Sequence, residues 1–526
     1  MPCVNHVPSE TGDRAPREGE DGLVEHVLSG LAANPALPPE LVDVLIAKAD
    51  ADLGDVLAER TDLSRAQALA LVARGEEHAV RLVRSGLLTA ADVDPATRPD
   101  LALALLDTGN GRPDWARTLA ADPDVGRRER LAGCPGLPPD VVDALAEDPD
   151  VRVVVELALW TTADVAARLA RHPHAEVRRA VAVNEATPPA VLAALVTGEG
   201  LPPASACLVC DREPTPFVHD LSCPRPDCDL PADASCDGSH ASTVHALRLA
   251  VLGHPATPVR AVVGFADHPC VLLRERLATR SDLPPEVYRR LAVDSTPRLR
   301  AELAGNPAVG EDLVRELASD EHPDVRRALV RNPRIPLDLL TRSAAFRGTD
   351  PLPRIESASL EEIETLARSA DPAVRMLAAR RRHLPDGIRD ALAADPDAKV
   401  ASLVAAHPGL SQAQLREMVR RWGVQVIARI AVNPDASSEL LEELARHEPP
   451  ALRALREIAR HPRAPASALL ACMADTRARR TAAGRPSLPP AVVAELLDDT
   501  DWQVVTAAAA NPSLPPAAMA AAAHLR

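Results

Sequence analysis

A chain of 526 residues is too long for one hydrophobic core, since single cores stop growing near roughly 250–300 residues, so it must split into domains or stack repeats. Its formal net charge of −16 argues against a generic binder of nucleic acid or anionic membrane, which needs a basic face. Hydrophobic residues make up 46% but aromatics only 2%, which excludes broad disorder and the bulky core of an ordinary enzyme; thin layers of short helices packed through small aliphatic side chains fit this balance.

Residues 1–22 read as a polar, acidic, disordered tail. They have no basic n-region and no apolar h-region, so no secretion signal is expected. No apolar run approaches the roughly 18–20 residues of a membrane span, so the expected protein is soluble and cytoplasmic, with no membrane contact. Nearly every basic residue is arginine; Lys48 and Lys399 are the only lysines. Together with the abundance of Ala and Pro, this points to a high-GC bacterial genome.

A repeat occupies residues 23–196 and returns over 244–526. Its clearest copies are NPALPPELV from Asn34, CPGLPPDVV from Cys134, NEATPPAVL from Asn184, RSDLPPEVY from Arg280, RPSLPPAVV from Arg485 and NPSLPPAAM from Asn511. Neighbouring copies are about 24–28 residues apart, the signature of a solenoid. Each unit predicts two short helices. The first opens at Pro-Pro-acid, because a first-turn proline lacks only an N–H that would be unpaired, and the acid sits at the positive end of the helix dipole. Apolar residues then recur at helical spacing, as in Val141 and Leu145 or Val287 and Leu291. An Asp-Pro or His-Pro turn follows, for example Asp148-Pro149 or His322-Pro323, and then a second helix that stops before the next proline. One unit cannot bury its apolar face alone; stacked units can, with atypical units expected at the two ends.

The composite unit, LAxNPxxPPELLxxLAxDPDxxVRxx, resembles the leucine-rich repeat variant family and, more loosely, HEAT-type repeats. The resemblance covers most of 24–196 and 244–526 and blurs at roughly 85–118 and 341–365. It implies an all-α solenoid of α and shorter, often 3₁₀, helices, and no catalytic activity.

Two recurring polar positions invite a functional reading. Asn34, Asn184, Asn306, Asn332, Asn433 and Asn511 share one place, with His254, His407 and His461 as stand-ins. Asparagine ties down turns, so each is expected to bond turn backbone in the next repeat. Arg152, Arg178, Arg300, Arg326 and Arg375 share another place, where pairing with nearby Asp and Glu is expected before any anion-binding stripe. No nucleophile elbow, Walker loop, H-E-x-x-H or dinucleotide fingerprint is present, and strand patterns are nearly absent, so no enzyme is expected.

Residues 197–243 break the pattern. They carry five of the nine cysteines, in the order C-x2-C, x12, C-x4-C, x7, C-x3-H: Cys207, Cys210, Cys223, Cys228, Cys236 and His240, with His219 and His245 close by. Thiols clustered in a reducing compartment point to metal before disulfide. A C-x2-C turn sets two thiolates on one tetrahedral ion, and the stretch has too little apolar material to fold without such help. If one ion binds, Cys207, Cys210, Cys223 and Cys228 are the first set. Cys236 and His240 then replace a member or build a second site with His219 or His245. Zinc is favoured, because closed cysteine-rich structural sites most often hold it. The alternative is an iron–sulfur cluster. Some leucine-rich repeat variant proteins are associated with a cysteine-cluster iron–sulfur domain. In addition, CDGSH, Cys236 to His240, is similar to the signature of the CDGSH iron–sulfur family, whose cluster uses three Cys and one His. Cys236 and His240 match that family's last two ligands. Its upstream C-x-C would fall on Arg225 and Asp227, and Ala234 stands where its proline is expected, so half of the ligand set carries over.

The expected function is a non-enzymatic scaffold presenting a protein-binding surface, with a structural metal in the insertion. The alternatives are an iron–sulfur redox or sensor protein docking through its repeats and, more weakly, a HEAT-like DNA-binding protein.

Overall fold

The structure is a computed structural model that describes residues 20–75, 78–220, 223, 228, 230, 234–342 and 352–525. Residues 1–19 of the expected acidic tail lie outside it, and the first helix, Glu20–Ala33, begins inside the expected tail. The fold is all-α and repetitive. The single ladder of named strands among the described residues pairs Phe217–Val218 with Ser235–Cys236, inside the cysteine-rich insertion. Packing divides the chain into two units. One joins the residues up to Leu88 with those from Ala393 on; the other is Thr89–Leu392, and the insertion falls inside it.

The helices begin where the Pro-Pro pairs require. In helices Pro39–Lys48, Pro139–Ala146, Pro189–Thr197, Pro285–Ala292 and Pro516–Ala523 the first proline is the cap and the second the first helical residue. The second helix of a unit starts from a capping side chain: Asp150 accepts from the Arg152 N–H, and Asp371 from the Ala373 N–H. Short 3₁₀ turns occur at Ala90–Asp92, Val263–Asp267, Leu329–Arg331 and Leu496–Asp498. Most second helices are nevertheless α-helices, a departure from the alternation that the family resemblance implies.

The asparagine row is a hydrogen-bond ladder, and it points backward rather than to the next repeat. The Asn332 amide donates to the Ala304 and Asn306 carbonyls at 3.1 and 3.0 Å, and Asn433 donates to those of Ala405 and His407 at 2.8 and 2.7 Å. In each case Oδ1 accepts the backbone N–H two residues on, from Arg334 and Asp435, both at 2.9 Å. Each asparagine thus closes its own turn and fastens it to the preceding repeat. His254 and His461 do the same, with Nε2 at 3.2 and 3.0 Å from the Asn184 and Asn433 carbonyls. Arg60 and Arg280 take the place in two further repeats, each reaching a pair of carbonyls 26 and 28 residues back. Asn433 is fully buried. Asn433→Ala strands one buried carbonyl, worth about 1–3 kcal/mol, and leaves a half-buried carbonyl and N–H that water satisfies in part. The expected loss is about 2–4 kcal/mol, read as a lower urea midpoint at unchanged slope.

The arginines also serve the stack. Arg300 spans Asp320 at 2.7 and 3.0 Å, twenty residues on, and donates to the Asp294 carbonyl at 2.7 Å. Arg128 with Asp148 and Arg274 with Asp294 repeat the arrangement. Of the other arginines in the row, Arg178, Arg326 and Arg375 each hold a carbonyl six residues back, those of His172, Asp320 and Ser369. Arg152 pairs locally with Asp150.

The expectation of two atypical end units is not met. Within the first unit, helix Glu20–Ala33 packs on helix Trp502–Ala509 as successive repeats pack elsewhere. Asn34 donates to the Ala509 and Asn511 carbonyls, both at 2.8 Å, just as Asn511 donates to those of Ala483 and Arg485. Lys48 Nζ donates to the Ala523 and Leu525 carbonyls at 2.9 and 2.6 Å, and His26 stacks on Trp502.

Candidate metal centre

Helix Pro189–Thr197 ends at Gly198, whose φ of 78° only glycine adopts freely. The stack resumes with helix Ala241–Gly253, which packs directly on helix Ala175–Val183. The insertion therefore interrupts the sequence of the repeats but not their stacking. His254 takes up the ladder from Asn184 across it.

The insertion docks on the turn before helix Ala175–Val183. The Ala175 N–H donates to the Ala206 carbonyl and the Ser205 N–H to that of Pro173, both at 2.9 Å. The buried His174 ring meets the Asp211 carboxylate at 2.9 Å, and Arg178 donates to the Pro202 carbonyl at 2.6 Å. Its own core is small: Cys207, Val209, Leu230, Ala234 and Cys236 gather on Ala175.

Two groups of soft ligands form there. Cys207, Cys210, Cys236 and His240 bring three sulfurs and one ring nitrogen within 4.8 Å of one another, and all but Cys210 are buried. His219, Cys223 and Cys228 form a separate, half-buried group of three. The structure thus does not join Cys223 and Cys228 to Cys207 and Cys210 as the first-choice set; it brings Cys236 and His240 there instead. His245 joins neither group. Cys3 lies outside the described residues. Cys134 and Cys472 are buried thiols, pushed up to about 12 first by burial, and so unreactive packing residues.

The local chain explains the four-membered group. Cys207 and Cys210 lie on one tight turn, where the Cys207 N–H donates to Cys210 Sγ at 3.0 Å. The strand pairing Phe217↔Cys236 returns the chain to that turn. Asp237 accepts the Ser239 N–H at 3.0 Å, Gly238 takes a φ of 93°, and the Gly238 N–H donates to Cys236 Sγ at 3.3 Å. His240 then adopts φ 56°, alone in the left-handed region among the described non-glycine residues. Such a conformation costs roughly 1–3 kcal/mol and persists only where its surroundings enforce it. Here it turns the ring back so that Nδ1 stands 3.6 Å from Cys236 Sγ and 3.8 Å from Cys210 Sγ.

Those spacings test the fit. A tetrahedral ion with bonds of about 2.3 Å to sulfur and about 2.0–2.1 Å to nitrogen holds such donors about 3.5–3.8 Å apart. The donor set is soft and tetradentate, and backbone N–H groups aimed at two sulfurs favour thiolates. Burial pushes the Cys207 thiol up to about 12, so ionising it at neutral pH takes a cation beside it. The residues present fit a metal ion.

No family model matches the chain, and no curated protein matches it. Among solved structures it is similar to an engineered protein from the Northeast Structural Genomics Consortium. That protein is 17% identical, with 90% of this chain and 97% of that one covered and a TM-score of 0.17, too slight a likeness to bear on fold or site. No described helix is long and apolar enough to cross a membrane.

Proposed function

We propose that this chain is a non-catalytic protein-binding scaffold of the leucine-rich repeat variant kind, whose insertion is folded around a structural zinc ion held by Cys207, Cys210, Cys236 and His240. The observation that carries the scaffold reading is where the side chains go. The recurring asparagines, with Arg128, Arg274 and Arg300, tie repeat to repeat, while large apolar side chains stand in solvent. Trp160 is 68% exposed and borders a groove of about 260 Å³ lined by Leu137, Pro139, Val142, Leu157 and Val165. Exposed tryptophan beside an apolar groove is the usual anchor of a protein interface.

Zinc is favoured because all four donor atoms lie within 4.8 Å, a single-ion spacing, whereas a cluster spreads its ligands over several irons. One observation favours the iron–sulfur reading: three Cys and one His is the donor set that the CDGSH resemblance implies, and Cys236 and His240 belong to it.

Metal analysis of anaerobically purified protein, with a visible spectrum, separates the two. Zinc in colourless protein is the expected result; iron with sulfide and a visible charge-transfer band overturns the structural-zinc reading. For the scaffold, a photo-crosslinking residue at position 160 in the source cells should yield a discrete adduct with another protein. Adducts confined to nucleic acid would sink that reading.

A further inference from the structure

The first ion, if it binds as proposed, uses four donors and leaves three soft ligands of the insertion unassigned. Their arrangement is specific. His219 lies one residue past the strand Phe217–Val218, and its N–H continues the pairing to the Ala234 carbonyl at 2.8 Å. Its Nε2 stands 3.2 Å from Cys228 Sγ. Cys228 packs against the small core of the insertion, and the Cys223 N–H is tied to the Asp220 carbonyl at 3.1 Å. The three donor atoms all lie within 4.8 Å of one another. A spare pair of first-site ligands would not converge on a histidine of its own.

We propose that His219, Cys223 and Cys228 hold a second, thiophilic divalent ion, distinct from the first, with one coordination position left for an exogenous ligand. The inference rests on the reading of the insertion as a metal module. Among the described residues three donors converge, which leaves one corner of a tetrahedral ion open. All three residues are half-buried, whereas Cys210 alone of the four first-site ligands is, so this ion is the more open of the two to solvent. The first ion is a closed structural clip. The second is exchangeable and can take a water, an imidazole or a thiol. Loading releases the thiol protons of Cys223 and Cys228 to solvent as the metal–sulfur bonds form, with no change of oxidation state.

Cobalt(II) is the probe, supplied in the growth medium so that the full chain folds around it, and counted per chain beside its visible spectrum. Two equivalents are expected in the parent chain and one in Cys228→Ser. Added imidazole should shift the ligand-field bands of the parent but not those of Cys228→Ser. One equivalent in both proteins overturns the second site and leaves the first standing. One in the parent, none in Cys228→Ser and one in Cys236→Ser would instead remove the first site and keep the second. Two equivalents with bands indifferent to imidazole would overturn the open position.

Discussion

Cys236→Ser is expected to cost the protein the proposed zinc and to melt the insertion beyond Asp211, while the helices on either side stay stacked. The magnitude follows from what else holds this stretch. Ordering a residue costs about 1–2 kcal/mol of backbone entropy. Against that the insertion buries Val209 and Leu230 with a few small side chains, each large one worth about 1.5–3 kcal/mol. A structural zinc site supplies about 10–16 kcal/mol in small metal-folded domains. Removing it leaves a segment that cannot hold its fold.

The repeats should not follow. Helix Ala175–Val183 meets helix Ala241–Gly253 directly, and the His254–Asn184 bond crosses the gap without using the insertion. Hydrogen exchange and limited proteolysis on Cys236→Ser should therefore find protection lost across 212–220 and 234–240. Residues 202–211, anchored through Arg178, Ala175 and His174, should lose less. Chelation of the parent chain should reproduce the pattern. An insertion that stays protected in the variant would mean that its small core suffices and that the thiols are packing residues.

Much of the fold was legible because its signals are local. Pro-Pro-acid starts a helix for reasons contained in three residues, and Asp-Pro and His-Pro stop the preceding one. The insertion was expected over 197–243; one helix still includes Thr197 and the next already begins at Ala241. What the sequence hid lies between repeats. Spacing alone made Cys223 and Cys228 the natural partners of Cys207 and Cys210. Only the pairing of Phe217 with Cys236, a contact across the insertion, selects Cys236 and His240 instead. The left-handed backbone at His240 has no sequence marker either, although Gly238 two residues earlier signals a tight turn. The direction of the asparagine ladder was equally invisible from one copy. The missing clue was an accounting one. Asn306, Asn332, Asn433 and Asn511 each take carbonyls 26 and 28 residues back, and the same offsets from Asn34 fall at positions 8 and 6, ahead of the repeats in the sequence.

That missing partner leads to Gly30→Ala, which is expected to destabilise the protein by about 1–3 kcal/mol, the cost of overpacking a tight contact. The sign is the test. Within a helix the same change ordinarily stabilises by about 0.5–1 kcal/mol, since alanine loses less backbone freedom on folding. At Gly30 a Cβ would press into the Thr506 carbonyl and come within 2.6 Å of Ala509 Cβ. The helices Glu20–Ala33 and Trp502–Ala509 would have to part. The bonds from Asn34 to Ala509 and Asn511, and from Lys48 to Ala523 and Leu525, stretch with them. Gly387 is the control: it lies in helix Asp386–Ala393, and a Cβ there meets nothing within 4 Å, so Gly387→Ala should stabilise. Urea midpoints of the two variants should therefore move in opposite directions. Hydrogen exchange should place the loss from Gly30→Ala in residues 20–33 and 502–525, because stability in a repeat stack is set by each pair of neighbours. Equal stabilisation by both substitutions would mean that the first and last described repeats do not pack on one another in solution, and that each exposes the apolar face a stacked neighbour would cover.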